Sequence, residues 1–179
     1  MDFKVLEDKI EKATKKAFTE LYDQHKDEGI YSFSLYSDDG ALTVCPAANT
    51  FQFLENLKKE EKNDLDYYKF EPAEWKYESK GAEEEFDEIC DILYDELDKE
   101  IYSEENTFIS FKNQLFDCCI NKLKKLKENN FFKNITGNDI FLIFSVSDSD
   151  CEHIKRSVNA LNDNHYKTEY FEWTDNEDN

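Results

Sequence analysis

The stretch that most constrains the fold is Ile30 to Thr50, IYSFSLYSDDGALTVCPAANT, where apolar residues keep a two-residue period on both sides of a polar turn. Tyr31, Phe33 and Leu35 alternate with Ser32 and Ser34. Leu42 and Val44 alternate with Thr43 and Cys45, so each run offers one apolar face to a core. This predicts an antiparallel hairpin. Asp38-Asp39-Gly40 supplies the short polar residues and the glycine of a tight reversal. Pro46, which has no N–H for the ladder, is expected to stop the second strand.

The rest of the chain reads mainly as helix. Phe3, Leu6, Ile10, Ala13, Ala17 and Leu21 recur at spacings of three and four, which predicts an amphipathic helix over 2–25 ended near Gly29. Asn49 or Thr50 is placed to cap a short helix with Phe53, Leu54 and Leu57 on its apolar face. Phe86, Ile89, Leu93, Leu97 and Ile101 define a second long helix, and Phe108, Phe111, Leu115, Cys119, Leu123 and Leu126 a third over 106–128. Ile140 to Val146, IFLIFSV, is the most continuously apolar run and predicts a central strand. Asp148, Ser149 or Asp150 then caps a helix carrying Ile154, Val158 and Leu161, and Tyr166 to Trp173 is expected as an edge strand. The expected class is α+β, with a small, mostly antiparallel sheet of the hairpin plus a central strand, covered by three or more long amphipathic helices. One domain over 1–174 is expected, with a frayed acidic tail over 175–179.

Charge narrows the function classes. The formal net charge is -20, from 42 Asp and Glu against 22 Lys and Arg, which disfavours nucleic acid and anionic membrane surfaces as partners. A basic protein is the natural complement. No apolar run is long enough to span a bilayer, and the first residues lack a signal-peptide pattern, so the expected location is cytoplasmic. Cys45, Cys90, Cys118, Cys119 and Cys151 include no CxxC pair, and reduced thiols are the expectation.

Candidate chemistry is sparse. Asp148 and Asp150 follow the apolar strand and could present oxygens to a hard cation, although such residues more often cap helices. Cys151 and His153 are two apart, which on a helix points them in different directions, so a zinc site is not expected. Cys119 reads as a small core residue. Neither a G-x-S-x-G elbow nor a glycine-rich phosphate loop is present. The expectation is no catalytic residue, no metal and no cofactor.

Two features instead suggest binding. Between Glu83 and Glu105 twelve acidic residues stand against one lysine, Lys99. This field reads either as solvated surface or as an electrostatic docking face. The rings of Tyr67, Tyr68, Phe70, Trp75 and Tyr77 crowd together, either as cover for a core or as a partner-binding anchor. On the binding reading the contact residues are Glu83, Glu84, Glu85, Asp87, Glu88, Asp91 and Asp95 on the helix, with Asp38 and Asp39 of the turn and an exposed Trp75 as anchor.

The amphipathic first helix, YSFSLYSDDGALTVCPAANT, PAEWKYE, the long acidic helix, and IFLIFSVSDSD followed by IKRSVNALN together resemble the bacterial domain of unknown function family 4303. That resemblance implies no activity and no catalytic position. By analogy with small acidic proteins encoded beside secreted toxins, the leading expectation is an immunity-type protein that binds and neutralises a cognate toxin. A cytoplasmic regulatory or scaffold domain is the alternative, and a metal-dependent enzyme using Asp148 and Asp150 is a third.

Overall fold

The structure, a computed structural model, describes residues 1–147 and 152–177. Asp148, Asp150 and Cys151, with the cation and cap readings attached to them, lie outside the described residues. Helix α1 spans Phe3–His25, started by the Asp2 side chain, which accepts from Lys4 N. It buries Leu6, Ile10, Ala13, Ala17, Phe18 and Leu21, the face its periodicity predicts. Strand β1 (Ile30–Ser37) and strand β2 (Cys45–Thr50) pair antiparallel. Helices α2 (Phe51–Lys59) and α3 (Leu65–Phe70) lead to the two-residue strand β3 (Tyr77–Glu78), which pairs antiparallel with β2. Then follow α4 (Glu83–Leu97), α5 (Glu105–Glu128), α6 (Phe131–Thr136), strand β4 (Phe141–Val146), α7 (Glu152–Leu161) and α8 (His165–Glu177). The sheet order is β3-β2-β1-β4, and β4 runs parallel to β1. The protein is α+β with a mixed sheet.

The hairpin forms, but its register departs from simple alternation. A bulge between Ile30 and Ser32 lets Ile30, Phe33 and Leu35 face one core while Tyr31 faces the other. Both faces of β1 are covered, so Ser32 and Ser34 are buried as well. The second strand begins at Cys45, later than expected, because Asp38 binds the intervening loop. Its carboxylate accepts from Leu42 N at 3.1 Å, from Thr43 N at 2.8 Å and from the Thr43 hydroxyl at 2.6 Å. Pro46 therefore lies inside β2 and does not end it. Its carbonyl accepts from Ser79 N at 2.9 Å.

Helices α1, α4, α5 and α6 cover one face of the sheet. On the other, Phe70 of α3 and Tyr166 and Tyr170 of α8 pack with Trp75 over Tyr31, Phe141 and Ile143. The IFLIFSV strand is buried on both faces, as its composition predicts, yet it is an edge strand in hydrogen bonding. Ser157 of α7 and Asn162, just past its end, close that edge. Asn162 accepts from Leu142 N at 3.0 Å and donates to Leu142 O at 2.7 Å. The Ser157 hydroxyl accepts from Phe144 N at 3.1 Å and donates to Phe144 O at 3.0 Å. With the edge occupied there is no ladder for Tyr166 to Trp173 to join, and these residues form α8, not the expected strand. Tyr166, Tyr170 and Trp173 then recur at helical spacing and meet Phe141 and Phe70.

Candidate functional site

The site builds from the start of α4. Gly81 has φ +88°, and a Cβ there would lie 2.9 Å from Ala17 O, so glycine lets the chain turn hard against α1. Ala82 N donates to the Glu20 carboxylate at 2.7 Å, and α4 departs with Phe86, Ile89 and Leu93 facing the core. That burial fixes what is left outside. Glu84, Asp87, Asp91 and Asp95 fall on the opposite, solvent face, at spacings of three and four.

The acidic residues divide by what they touch. Glu85 pairs with Lys16 at 2.7 Å, Glu88 with Lys9 at 2.9 Å and Glu83 with Lys80 at 3.2 Å. The Lys16 hydrogen bond holds the Glu85 carboxyl below its ordinary range, and the same contact raises the Lys16 ammonium. Glu85 and Glu88 seat α4 on α1, and Glu83 pairs locally with the residue three before it. Among the described residues Glu84, Asp87, Asp91 and Asp95 form no ion pair. Four like charges along one stripe, none in an ion pair and only Glu84 acting on a lysine, Lys16, make a negative field directed at solvent.

Asp38 lies beside this helix: with Asp87 it acts electrostatically on Cys90, whose Sγ is 3.7 Å from Val44 O. Asp38 nevertheless serves the loop, through the hydrogen bonds given above. Asp39 is exposed and pairs with Lys112 of α5 at 2.9 Å. Trp75 is not an exposed anchor. It is 3% exposed, donates its indole N–H to Lys69 O at 3.2 Å and packs on Phe141. The physical reason is the second core, which the bulge at Tyr31 opens and which aromatic rings fill. Tyr31 donates to the same Lys69 carbonyl at 2.9 Å, so both rings fix the end of α3.

The most exposed aromatic among the described residues is Tyr94, 62% exposed and between Asp91 and Asp95 on the acidic stripe, ahead of Phe51 at 49% and Tyr67 at 36%. Ile101, 60% exposed, follows just beyond the helix. Tyr94 is absent from the expected contact set, although its position was readable. Once Phe86, Ile89 and Leu93 are assigned inward, residue 94 falls outward with 87 and 91.

An open cleft of about 660 Å³ lies at the starts of β1 and β4, lined by Tyr22, Lys26, Phe51, Asp139, His165 and Tyr166 among others. Asp139 pairs with Lys133 at 2.9 Å, and the Thr136 hydroxyl donates to the carbonyls of Phe132 and Asn138. The His165 ring lies against Tyr166, centroids 4.0 Å apart and planes tilted by 36°. These groups are engaged with one another and converge on no common point. Among the described residues no three His, Cys, Asp or Glu side chains form a group able to hold a metal ion. No helix among them is long and apolar enough to cross a membrane.

Compared with known proteins, residues 10–163 match the model of a family described as a domain of unknown function, DUF4303. No curated protein and no solved structure matches the chain.

Proposed function

We propose that this protein, which belongs to the DUF4303 family, is a non-catalytic binding protein whose α4 face docks on a basic protein. The observation that carries this reading is the stripe of Glu84, Asp87, Asp91 and Asp95, which form no ion pair among the described residues and flank the exposed ring of Tyr94. Unpaired carboxylates steer a cationic partner from a distance, and an aromatic ring among them supplies the desolvated contact that holds it. Trp75 has no part in that contact. The partner we favour is a cognate bacterial toxin in the cytoplasm, neutralised by occlusion of a basic active site, as an immunity protein would do. The size of the charge, -20 on 179 residues, supports a basic partner, and the toxin is favoured by analogy with small acidic immunity proteins.

The test uses the tagged chain and a variant carrying Glu84→Gln, Asp87→Asn, Asp91→Asn and Asp95→Asn. Both are incubated with native extract of the source cells at low salt and washed at low and high salt. The wild type should retain a stoichiometric basic protein that the variant and the high-salt wash lose. Equal retention by both proteins overturns the docking face. Growth arrest by the captured protein, relieved when this chain is co-expressed, supports immunity. Absence of arrest selects a regulatory role.

A further inference from the structure

The open cleft at the starts of β1 and β4, about 660 Å³ in volume, has the size of a small-molecule site. Its Asp139 and Thr136 side chains are already engaged, so what it offers a ligand is aromatic surface and a cation. Four rings line it in an unbroken series. Phe51 stacks on Tyr31 with centroids 4.8 Å apart and planes at 28°, Tyr31 lies 6.1 Å from Tyr166, and Tyr166 lies 4.0 Å from His165. Phe51 is half-exposed yet held in place: Tyr31 backs its ring, and a Cβ at Gly29 would lie 3.2 Å from its Cδ2. Lys26 lines the same cleft and forms no ion pair among the described residues, whereas Asp139, the carboxylate in the lining, is taken by Lys133 at 2.9 Å. We propose that this cleft is a binding site for a small planar aromatic molecule that carries one anionic group.

Each part of that ligand follows from a part of the lining. A ring backed on one side by Tyr31 and left half-exposed has its other side open, and covering it removes apolar area from water without ordering a flexible side chain. A flat ring does this better than an aliphatic chain, because stacked aromatic pairs gain beyond their buried area. The anionic group follows from Lys26. A ligand cation would meet that ammonium with no free carboxylate in the wall to offset it, since Lys133 already neutralises Asp139. The acidity of the whole chain does not reverse this preference. At physiological ionic strength charges are screened over about 8 Å, so an unpaired lysine in the wall outweighs distant carboxylates.

Two sources carry this chemistry, a nucleoside monophosphate and an aromatic carboxylate, and both would use the same contacts. The site binds and performs no reaction. It stands apart from the docking role of α4, none of whose residues lines the cleft.

The test titrates the isotope-labelled full chain, followed by amide NMR, with adenosine monophosphate and with indole-3-acetate. Each anion is paired with its uncharged counterpart, adenosine or indole-3-acetamide. At least one anion should bind with a Kd of about 1 mM or tighter, shifting the amides of Lys26, Tyr31, Phe51 and Tyr166 and leaving those of α4 in place. Which anion binds identifies the source. Its uncharged counterpart should bind roughly fivefold more weakly, and so should the anion to Lys26→Gln, as loss of one exposed ion pair predicts. Phe51→Ala should weaken binding about tenfold through the lost stacking partner. No shift with either anion at several times that concentration overturns the proposal. Equal affinity for an anion and its uncharged counterpart, or shifts scattered over the surface, overturns it as well. The wild-type titrations decide the matter even if Phe51→Ala fails to fold.

Discussion

Trp75 donates its indole N–H to the Lys69 carbonyl inside the second core, while Tyr94 stands on the solvent face of α4 with 62% of its surface exposed. Truncating the two rings should therefore have opposite effects. Trp75→Ala is expected to cost about 3–5 kcal/mol in urea unfolding, because it leaves a cavity in the second core and removes one of the two hydrogen bonds to the Lys69 carbonyl. Tyr94→Ala should leave stability within about 0.5 kcal/mol and weaken partner binding instead. The sequence leaves Trp75 open between core cover and anchor, and its burial selects core cover, while the Tyr94 ring was not singled out. At the same scale, Glu11 is one of the carboxyls, with Glu96, that set the acid limit. Hydrogen bonds from Lys15 and Lys125, at 2.7 and 2.9 Å, hold the Glu11 carboxyl at about 2, below its ordinary 4.5. A depressed carboxyl stabilises the fold above 4.5 and loses that contribution as pH falls toward about 2. Glu11→Gln should accordingly flatten the decline of thermal stability across that interval, measured by a pH series of melting curves.

Among the elements, periodicity found α1, α4, α5, β1 and β4, where one apolar face or one continuous run dominates. It failed where a tertiary contact decides. The start of β2 depends on Asp38 binding Leu42 and Thr43, β3 is a two-residue pairing, and α8 is helical because α7 already closes the sheet edge. That closure makes a prediction. Asn162→Ala removes both hydrogen bonds to Leu142 and should destabilise the fold by about 2 kcal/mol. Hydrogen exchange should show lost protection at Leu142, and unchanged protection there would contradict the role of α7. The joint between α1 and α4 is equally specific. Gly81→Ala forces a side chain toward Ala17 O at a φ of +88° and should cost about 1–3 kcal/mol by the same unfolding measurement.

Over the whole molecule, the α+β class and the acidic surface were legible in composition and pattern, since both are sums over many residues. Which carboxylates remain free was not. It depends on Lys9, Lys16 and Lys80 reaching α4 from elements remote in the chain or at its own start, and this leaves Glu84, Asp87, Asp91 and Asp95 outside any ion pair among the described residues. The lysines at the end of α5 likewise pair inward, Lys122 with Glu7 at 3.0 Å and Lys125 with Glu11 at 2.9 Å, so they do not offset the α4 stripe. The most direct test of the docking face places a photo-crosslinking phenylalanine analogue at position 94, and a control at the exposed Lys124 of α5, in the cells that make the protein. Irradiation should join position 94, and not position 124, to one basic protein, and the adduct should vanish when Asp87, Asp91 and Asp95 are changed to Asn. An adduct of equal yield from both positions, or one that survives loss of the three carboxylates, would contradict binding through the acidic face of α4.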